Sequence, residues 1–237
     1  MPTVTALRPT RRAGRLSVHV DGEFLAAVSD AFVARQQLFV GRQMTPDELQ
    51  ALIAAASRDQ ALSDAYRLLA HRARSRAELR SRLLAKGHTP EVVDGTLERL
   101  GGEGLVDDRA FAAAFVADKQ RLAGWGNARI ARELVRLGVA GDVISGVLPD
   151  DHDESGAELE RARAALERRG PATAPLDRAR KRAFDFLVRR GYSTAVAYQA
   201  VREWVDGARS DDVDGHPAGP DRHRHERPDT GAGPSLD

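Results

Sequence analysis

The sequence predicts an all-α protein made of tandem repeats of three-helix units, with a small β-hairpin region ahead of them and a disordered tail behind. Three observations carry that prediction. Helical periodicity starts near Asp30 and continues to about residue 205. Within it, a helix–glycine–helix pattern recurs at spacings of 51 and 53 residues. Residues 206–237 then turn to Asp, Gly, Pro and His with few large apolar side chains, a composition that does not sustain a packed core.

The hairpin comes first. Leu16, Val18 and Val20 alternate with polar residues, Asp21-Gly22 follows, and Phe24, Ala26 and Val28 alternate again. Alternation on both sides of Asp-Gly is a two-residue hairpin signal, and Val4 with Ala6 supplies a third short strand. Thr45-Pro46-Asp47-Glu48 then opens a helix, with a capping threonine, a proline in the first turn and an acid three residues after the cap.

The repeat is defined by three segments aligned on a glycine: Leu83 to Gly87, Leu134 to Gly138 and Leu187 to Gly191. Five residues after each glycine stands Val92, Val143 or Val196, and ten after stands Leu97, Leu148 or Val201. Each copy is therefore a helix stopped by a glycine, a short turn and a second helix folded back on the first. Preceding helices near 60–72, 107–121 and 156–169 complete the units. The expected boundaries are 1–44 for the hairpin region, 45–105 for the first unit with its leading helix, 106–149 for the second, 150–205 for the third with an acidic linker, and 206–237 for the tail. Ser75-Arg76-Ala77-Glu78 and Thr89-Pro90-Glu91 mark helix starts within the first unit.

Composition narrows the function classes. The 237 residues contain no cysteine, which removes disulfides, thiolate nucleophiles and sulfur-ligated zinc. The longest apolar runs, 51–56 and 111–117, are far below the roughly 20 residues of a membrane span. With no signal-like N-terminus, a cytoplasmic protein is expected. No phosphate loop is present, since Gly101-Gly102-Glu103-Gly104 and Gly124-Trp125-Gly126 lack the following lysine and read as turns. Asp107-Asp108, at the start of a helix carrying Phe111 and Phe115, reads as capping rather than as an acid/base pair. The histidines at 216, 223 and 225 lack a folded frame, and no metal, cofactor or catalytic residue is expected.

Charge is the better lead. The formal net charge is +1, but the tail holds eight acids and four arginines, leaving residues 1–205 with 32 basic and 27 acidic residues. The cations cluster. Arg72, Arg74, Arg76, Arg80, Arg82 and Lys86 face a single acid, Glu78, and Arg178, Arg180, Lys181, Arg182, Arg189 and Arg190 face a single acid, Asp185. In the middle unit, Arg129, Arg132 and Arg136 lie opposite the apolar stripe Ile130, Leu134 and Leu137. Arginine outnumbers lysine 33 to 3, so a compositional bias explains the same residues. If stacking lines the clusters along one side, they form a stripe for phosphates or for an acidic protein surface, between which charge alone does not choose.

The run Tyr66 to Leu69 and Arg74 to Leu79, with Leu83 and Lys86-Gly87, resembles the first-unit signature of the RecX regulatory proteins. Gly104-Leu105-Val106-Asp107-Asp108-Arg109 with Phe111, then Gly124-x-Gly126, Arg129-Ile130 and Glu133-Leu134, resembles the second. The likeness covers about 64–148 and is looser in the third unit and the hairpin. It implies a non-enzymatic regulator of the RecA recombinase with an elongated, curved array of helical units, and a monomer is expected. Such a protein binds the RecA filament on single-stranded DNA and lowers its ATPase and strand-exchange activities. The candidate partner- or phosphate-binding residues are then Arg72, Arg74, Arg76, Arg80, Arg82, Lys86, Arg129, Arg132, Arg136, Arg178, Lys181 and Arg182. A stand-alone helical DNA-binding protein is the alternative, because two helices joined by a glycine turn also resemble a helix-turn-helix.

Overall fold

The structure, a computed structural model, describes residues 1–148, 155–171 and 175–214. Three antiparallel strands in the order β1-β2-β3 open the chain: β1 (Val4–Pro9), β2 (Arg15–Val20) and β3 (Glu23–Ser29). Asp21 and Gly22 turn the β2–β3 hairpin at φ 49° and 87°, the left-handed pair that a two-residue turn requires. Val18, Val20, Ala26 and Val28 face inward as the alternation predicts. Phe24 does not. The register slips between Val18 and His19, so Val18 pairs with Ala26 but His19 with Phe24, and the two rings meet edge-on at 5.8 Å on the outer face.

Behind the sheet lie α1 (Asp30–Arg35) and α2 (Pro46–His71). The helix starting at Thr45 and the one expected near 60–72 are a single 26-residue element, opened by a complete capping box between Thr45 and Glu48. It serves two cores. Leu52 and Ala56 close the sheet's interior with Val4, Val28, Phe32 and Met44, whereas Ala65, further along, belongs to the first helical unit. Asp59 fixes the junction, accepting from the Ser29 backbone N–H and hydroxyl at 2.8 Å each.

The units follow. The first joins the C-terminal half of α2 to α3 (Arg76–Leu84) and α4 (Pro90–Gly102). The second comprises α5 (Asp108–Asp118) running into a π-helical turn (Lys119–Ala123), then α6 (Asn127–Arg136) and α7 (Gly141–Val147). The third comprises α8 (Ser155–Glu167), α9 (Leu176–Arg190) and α10 (Thr194–Asp214). The described chain is mostly helical, and each unit closes around a core of its own.

The repeat positions explain those cores. Leu83, Leu134 and Leu187, four residues before each glycine, are fully buried in all three units, and each burial contributes about 1.5–3 kcal/mol. The position ten residues after the glycine is buried three times as well, at Leu97, Leu148 and Val201. The position five after is less regular. Val92 and Val143 are half-buried, and the residues that follow them, Val93 and Ile144, carry the core.

The tail starts later than the composition suggests, because α10 continues through Asp214. The remainder of that segment, with His216, His223 and His225, lies outside the described residues, as does the acidic linker at 150–154. Among the described residues, no helix is long and apolar enough to cross a membrane.

Candidate partner-binding surface

The units are bolted together by one joint used twice. Shifting the first unit by 51 residues superposes Ser75 on Gly126, the residues that precede α3 and α6. At the first joint the Ser75 hydroxyl donates to the Leu137 carbonyl at 2.5 Å, and the Asp108 carboxylate accepts from the Arg76 N–H at 2.7 Å. At the second, the Gly126 N–H donates to the Arg190 carbonyl at 2.8 Å, and the Glu158 carboxylate accepts from the Asn127 N–H at 2.9 Å. Leu137 and Arg190 both immediately precede a repeat glycine. In each joint, a helix start in one unit meets the glycine turn of the next, and an acid from the next unit's first helix binds the exposed helix N–H groups.

This geometry divides the capping expected of Asp107-Asp108 between two helices. Asp107 caps its own helix, binding the N–H groups of Arg109 and Ala110, but Asp108 reaches back to cap α3 in the preceding unit. It also gives the repeat glycines different duties. All three lie at positive φ, yet a Cβ on Gly87 would meet nothing within 4 Å, whereas one on Gly138 would lie 2.4 Å from the Ala77 Cβ. Gly87 only terminates a helix; Gly138 and Gly191 also admit a neighbouring unit.

The predicted cations fall into three groups. Arg74 and Arg129 are structural. Arg74 is buried, paired with Glu78 and bonded from Nε to the Leu68 carbonyl at 3.1 Å, so it is withdrawn from any docking surface. Arg129 stacks at 4.0 Å on Trp125, and its backbone and Cβ form the surface against which Gly191 packs, which places it in the second joint. A second group is exposed but engaged. Arg72 and Arg82 share Glu78 with Arg74, Arg76 Nη1 reaches the Leu97 carbonyl at 3.3 Å, and Lys86 approaches Asp64 at 3.8 Å. Arg80 forks onto Asp94 at 2.8 and 3.2 Å, and Arg136 pairs with Glu133 at 2.8 Å. The Arg80 hydrogen bond, the largest influence on Asp94, holds that carboxyl below its usual range.

The third group has the cations turned to solvent. Arg132, Arg178, Lys181 and Arg182 are exposed, and among the described residues none has an acidic partner at ion-pair distance, although Arg182 Nε donates to the Arg178 carbonyl at 3.2 Å. Lys181 lines a groove of about 460 Å³ between α9 and α10, with Arg180, Phe184, Tyr198, Arg202 and one acid, Asp206. Tyr198 is 68% exposed there. The sequence reading missed Tyr198 and Arg202 because the register placing them beside Lys181 depends on how α10 crosses α9. At one register position the exposed equivalence joins the later units: Arg136 maps onto Arg189, whereas its counterpart in the first unit is Ala85.

One titratable group is informative. His88 Nε2 lies 3.0 Å from Asp64 Oδ2, yet burial, and then Lys86, hold its pKa below the ordinary 6.5. The neutral ring donates to the carboxylate. An unfolded His88 takes a proton more readily than the folded one, so its contribution to stability is full above about 6.5 and declines as pH falls below it. Native-state hydrogen exchange should show first-unit protection declining as pH falls below about 6.5, with the decline flattened in His88→Gln. An equally steep decline in that variant assigns the effect to another group.

Comparison with known proteins places these units. Residues 61–100 match the family model for the RecX first three-helix domain, and residues 107–148 match the model for the RecX second three-helix domain. A regulatory protein RecX from Halorhodospira halophila is 40% identical over 163 residues, which cover 68% of this chain and 96% of that protein. One from Mycobacterium sp. strain KMS is 39% identical over 157 residues, covering 64% and 85%. A crystal structure of a regulatory protein RecX superposes with a TM-score of 0.63 at 23% identity, covering 86% of this chain and all of the other. RecX from Lactobacillus salivarius gives 0.56 at 17% identity, covering 64% of this chain. These two likenesses concern the fold.

Proposed function

The chain belongs to the RecX family of regulatory proteins, and from that premise we propose that it regulates the RecA recombinase by lying along the RecA filament on single-stranded DNA. The observation carrying this reading is the repeated joint. A filament presents the same surface at regular intervals, and an array joined by equivalent contacts at Ser75–Leu137 and Gly126–Arg190 suits a partner that repeats. Each unit has its own core, so the array stays ordered without a partner and little ordering entropy is lost on docking.

The mechanism is a bridge. A ligand shifts a conformational equilibrium only by its differential affinity for the two states. An array contacting two adjacent recombinase subunits at once favours the relative arrangement that fits both contacts and disfavours the others. Motion between subunits that accompanies ATP turnover is then slowed, and ATPase and strand exchange fall. Arg132, Arg178, Lys181 and Arg182 supply the electrostatic part, since among the described residues none of them has an acid at ion-pair distance.

The test is RecA ATPase on single-stranded DNA, with and without this protein. Inhibition by the native chain is expected, and Arg132→Glu with Lys181→Glu is expected to raise the half-inhibitory concentration by about tenfold or more, as like-charge contacts cost several kcal/mol. Arg80→Glu, which loses a cation already paired with Asp94, is expected to act less. No inhibition by the native chain refutes the regulatory reading. Tight, sequence-selective binding to DNA without recombinase would favour the stand-alone DNA-binding alternative.

A further inference from the structure

A further concentration of positive charge adjoins the surface described above and shares Lys86 with it. Between the β1–β2 turn, α2 and the turn after α3 is an open cleft of about 490 Å³, lined by Arg11, Arg12, Arg15, Arg67 and Lys86 against one acid, Asp64. That carboxylate is already shared. It pairs with Arg67, approaches Lys86 at 3.8 Å and accepts from His88 at 3.0 Å. Arg15 is held in place by Ser63 Oγ at 2.5 Å and by the Ala27 carbonyl. Arg11 and Arg12 stand exposed at the tip of the turn, with no acidic partner among the described residues. The crowding is felt: burial first, then Arg12 and Arg15, hold the Arg67 guanidinium below its usual pKa, where it nonetheless remains charged at neutral pH.

Like charges gathered around one cleft repel, and an anion from outside relieves that cost. Its class follows from what lines the cleft. Arginine forks match phosphate oxygens, and no aromatic ring is present to stack a base. A compact anion fits less well, because Arg15, Arg67 and Lys86 are committed to Ser63, Ala27 and Asp64 and do not converge on one point. We propose that this cleft holds the phosphodiester backbone of a DNA strand, without reading its bases, with Arg11 and Arg12 as the mobile grip and Arg15 and Arg67 as the fixed wall. The inference does not depend on the recombinase: it concerns binding of DNA by this chain alone.

The test uses the full chain and a fluorescent thirty-nucleotide oligothymidine, with its duplex as a second arm. Each neutralised phosphate contributes about 0.7 to the slope of log affinity against log salt for a single strand and about 0.9 for duplex. Arg11→Gln with Arg12→Gln leaves the turn's backbone bonds to Thr10 intact. It is expected to reduce the slope by about 1.4 on the single strand, or about 1.8 on duplex, whichever form the cleft holds. Arg67→Gln is expected to weaken binding in the same assay, while native-like circular dichroism shows that both variants are folded. Unchanged affinity and slope in both variants overturn the proposal. So does displacement of the oligonucleotide by polyglutamate of equal charge as effectively as by unlabelled DNA, or displacement by inorganic phosphate at comparable charge. ATPase inhibition that survives in the Arg11/Arg12 variant leaves the regulatory reading intact.

Discussion

Substituting Gly126 by valine is expected to undock the third unit while leaving it folded. A Cβ at this position would lie 2.3 Å from the Gly191 carbonyl carbon and oxygen and from the Tyr192 nitrogen. All three are backbone atoms, so no side-chain rotation relieves the clash and the two units must separate. Overpacking of this kind costs about 1–3 kcal/mol even where neighbours can adjust. Separation also breaks the bonds from the Gly126 and Ala128 N–H groups to Arg190 and Gly191, and from the Asn127 N–H to Glu158. The third unit keeps Leu166, Leu187, Ala197 and Val205 in a core of its own, which undocking leaves intact. Hydrogen exchange should therefore show rapid exchange at residues 126–128 with protection retained within α8 and α9. Tyr192 gives a second signal. Burial, its largest influence, pushes this phenol above its ordinary 10, and its hydroxyl bonds to the Gly124 carbonyl at 3.3 Å across the joint. In Gly126→Val its titration should move down. Slow exchange at 126–128 together with an unmoved Tyr192 would show that the joint tolerates the added side chain. On the bridging mechanism, the same variant should inhibit RecA less, since an undocked third unit no longer holds its cations in register with those of the second.

The units were legible because their signals are local. Leu83, Leu134 and Leu187, and the glycines four residues later, are set by helix termination and burial within one unit, and each reads from a few neighbouring residues. The joints were not legible, since Asp108 bonding Arg76 and Glu158 bonding Asn127 span 32 and 31 residues, and no short pattern announces such a pair. The same limit explains the charge reading. Arg74, Arg76 and Arg80 look alike in sequence, yet one is buried on Glu78, one rests on a helix carbonyl and one forks onto Asp94. The cleft at Arg12, Arg15 and Arg67 joins a turn to a helix some 50 residues away, and a count within any one window sees only part of it.

Removing the Glu78 carboxylate is expected to damage the first unit more than any surface charge change. Ser75 and Glu78 have the spacing of a capping box, but only half of it forms: the Ser75 hydroxyl accepts from the Glu78 N–H at 3.0 Å while the carboxylate turns to the arginines. Its Oε1 takes Arg72 at 2.5 Å, Arg74, and Arg82 at 3.7 Å. The three are not equal. Arg72 and Arg82 are half-exposed and hydrate if released, so each contributes about 0–1 kcal/mol. Arg74 is only 8% exposed, and without Glu78 it keeps a single carbonyl, that of Leu68. Leaving a buried cation without its counterion costs about 3–5 kcal/mol, whereas replacing both partners by apolar residues is often neutral. Glu78→Ala should therefore lower first-unit protection in native-state hydrogen exchange by that amount, and Arg74→Met, which deletes the buried charge itself, should cost less. The double variant Arg74→Met with Glu78→Leu should recover much of the loss, a coupling that a purely local helix effect of Glu78 would not produce. A loss below about 1 kcal/mol in Glu78→Ala would mean that water reaches Arg74 and that the cluster is a surface ion pair. Ser75 extends the consequence to the array, because the hydroxyl that caps α3 is the one that bonds Leu137. A first unit loosened around Glu78 should also release the second, so exchange at Gly138 and Val139 is expected to rise in Glu78→Ala and to return in the double variant.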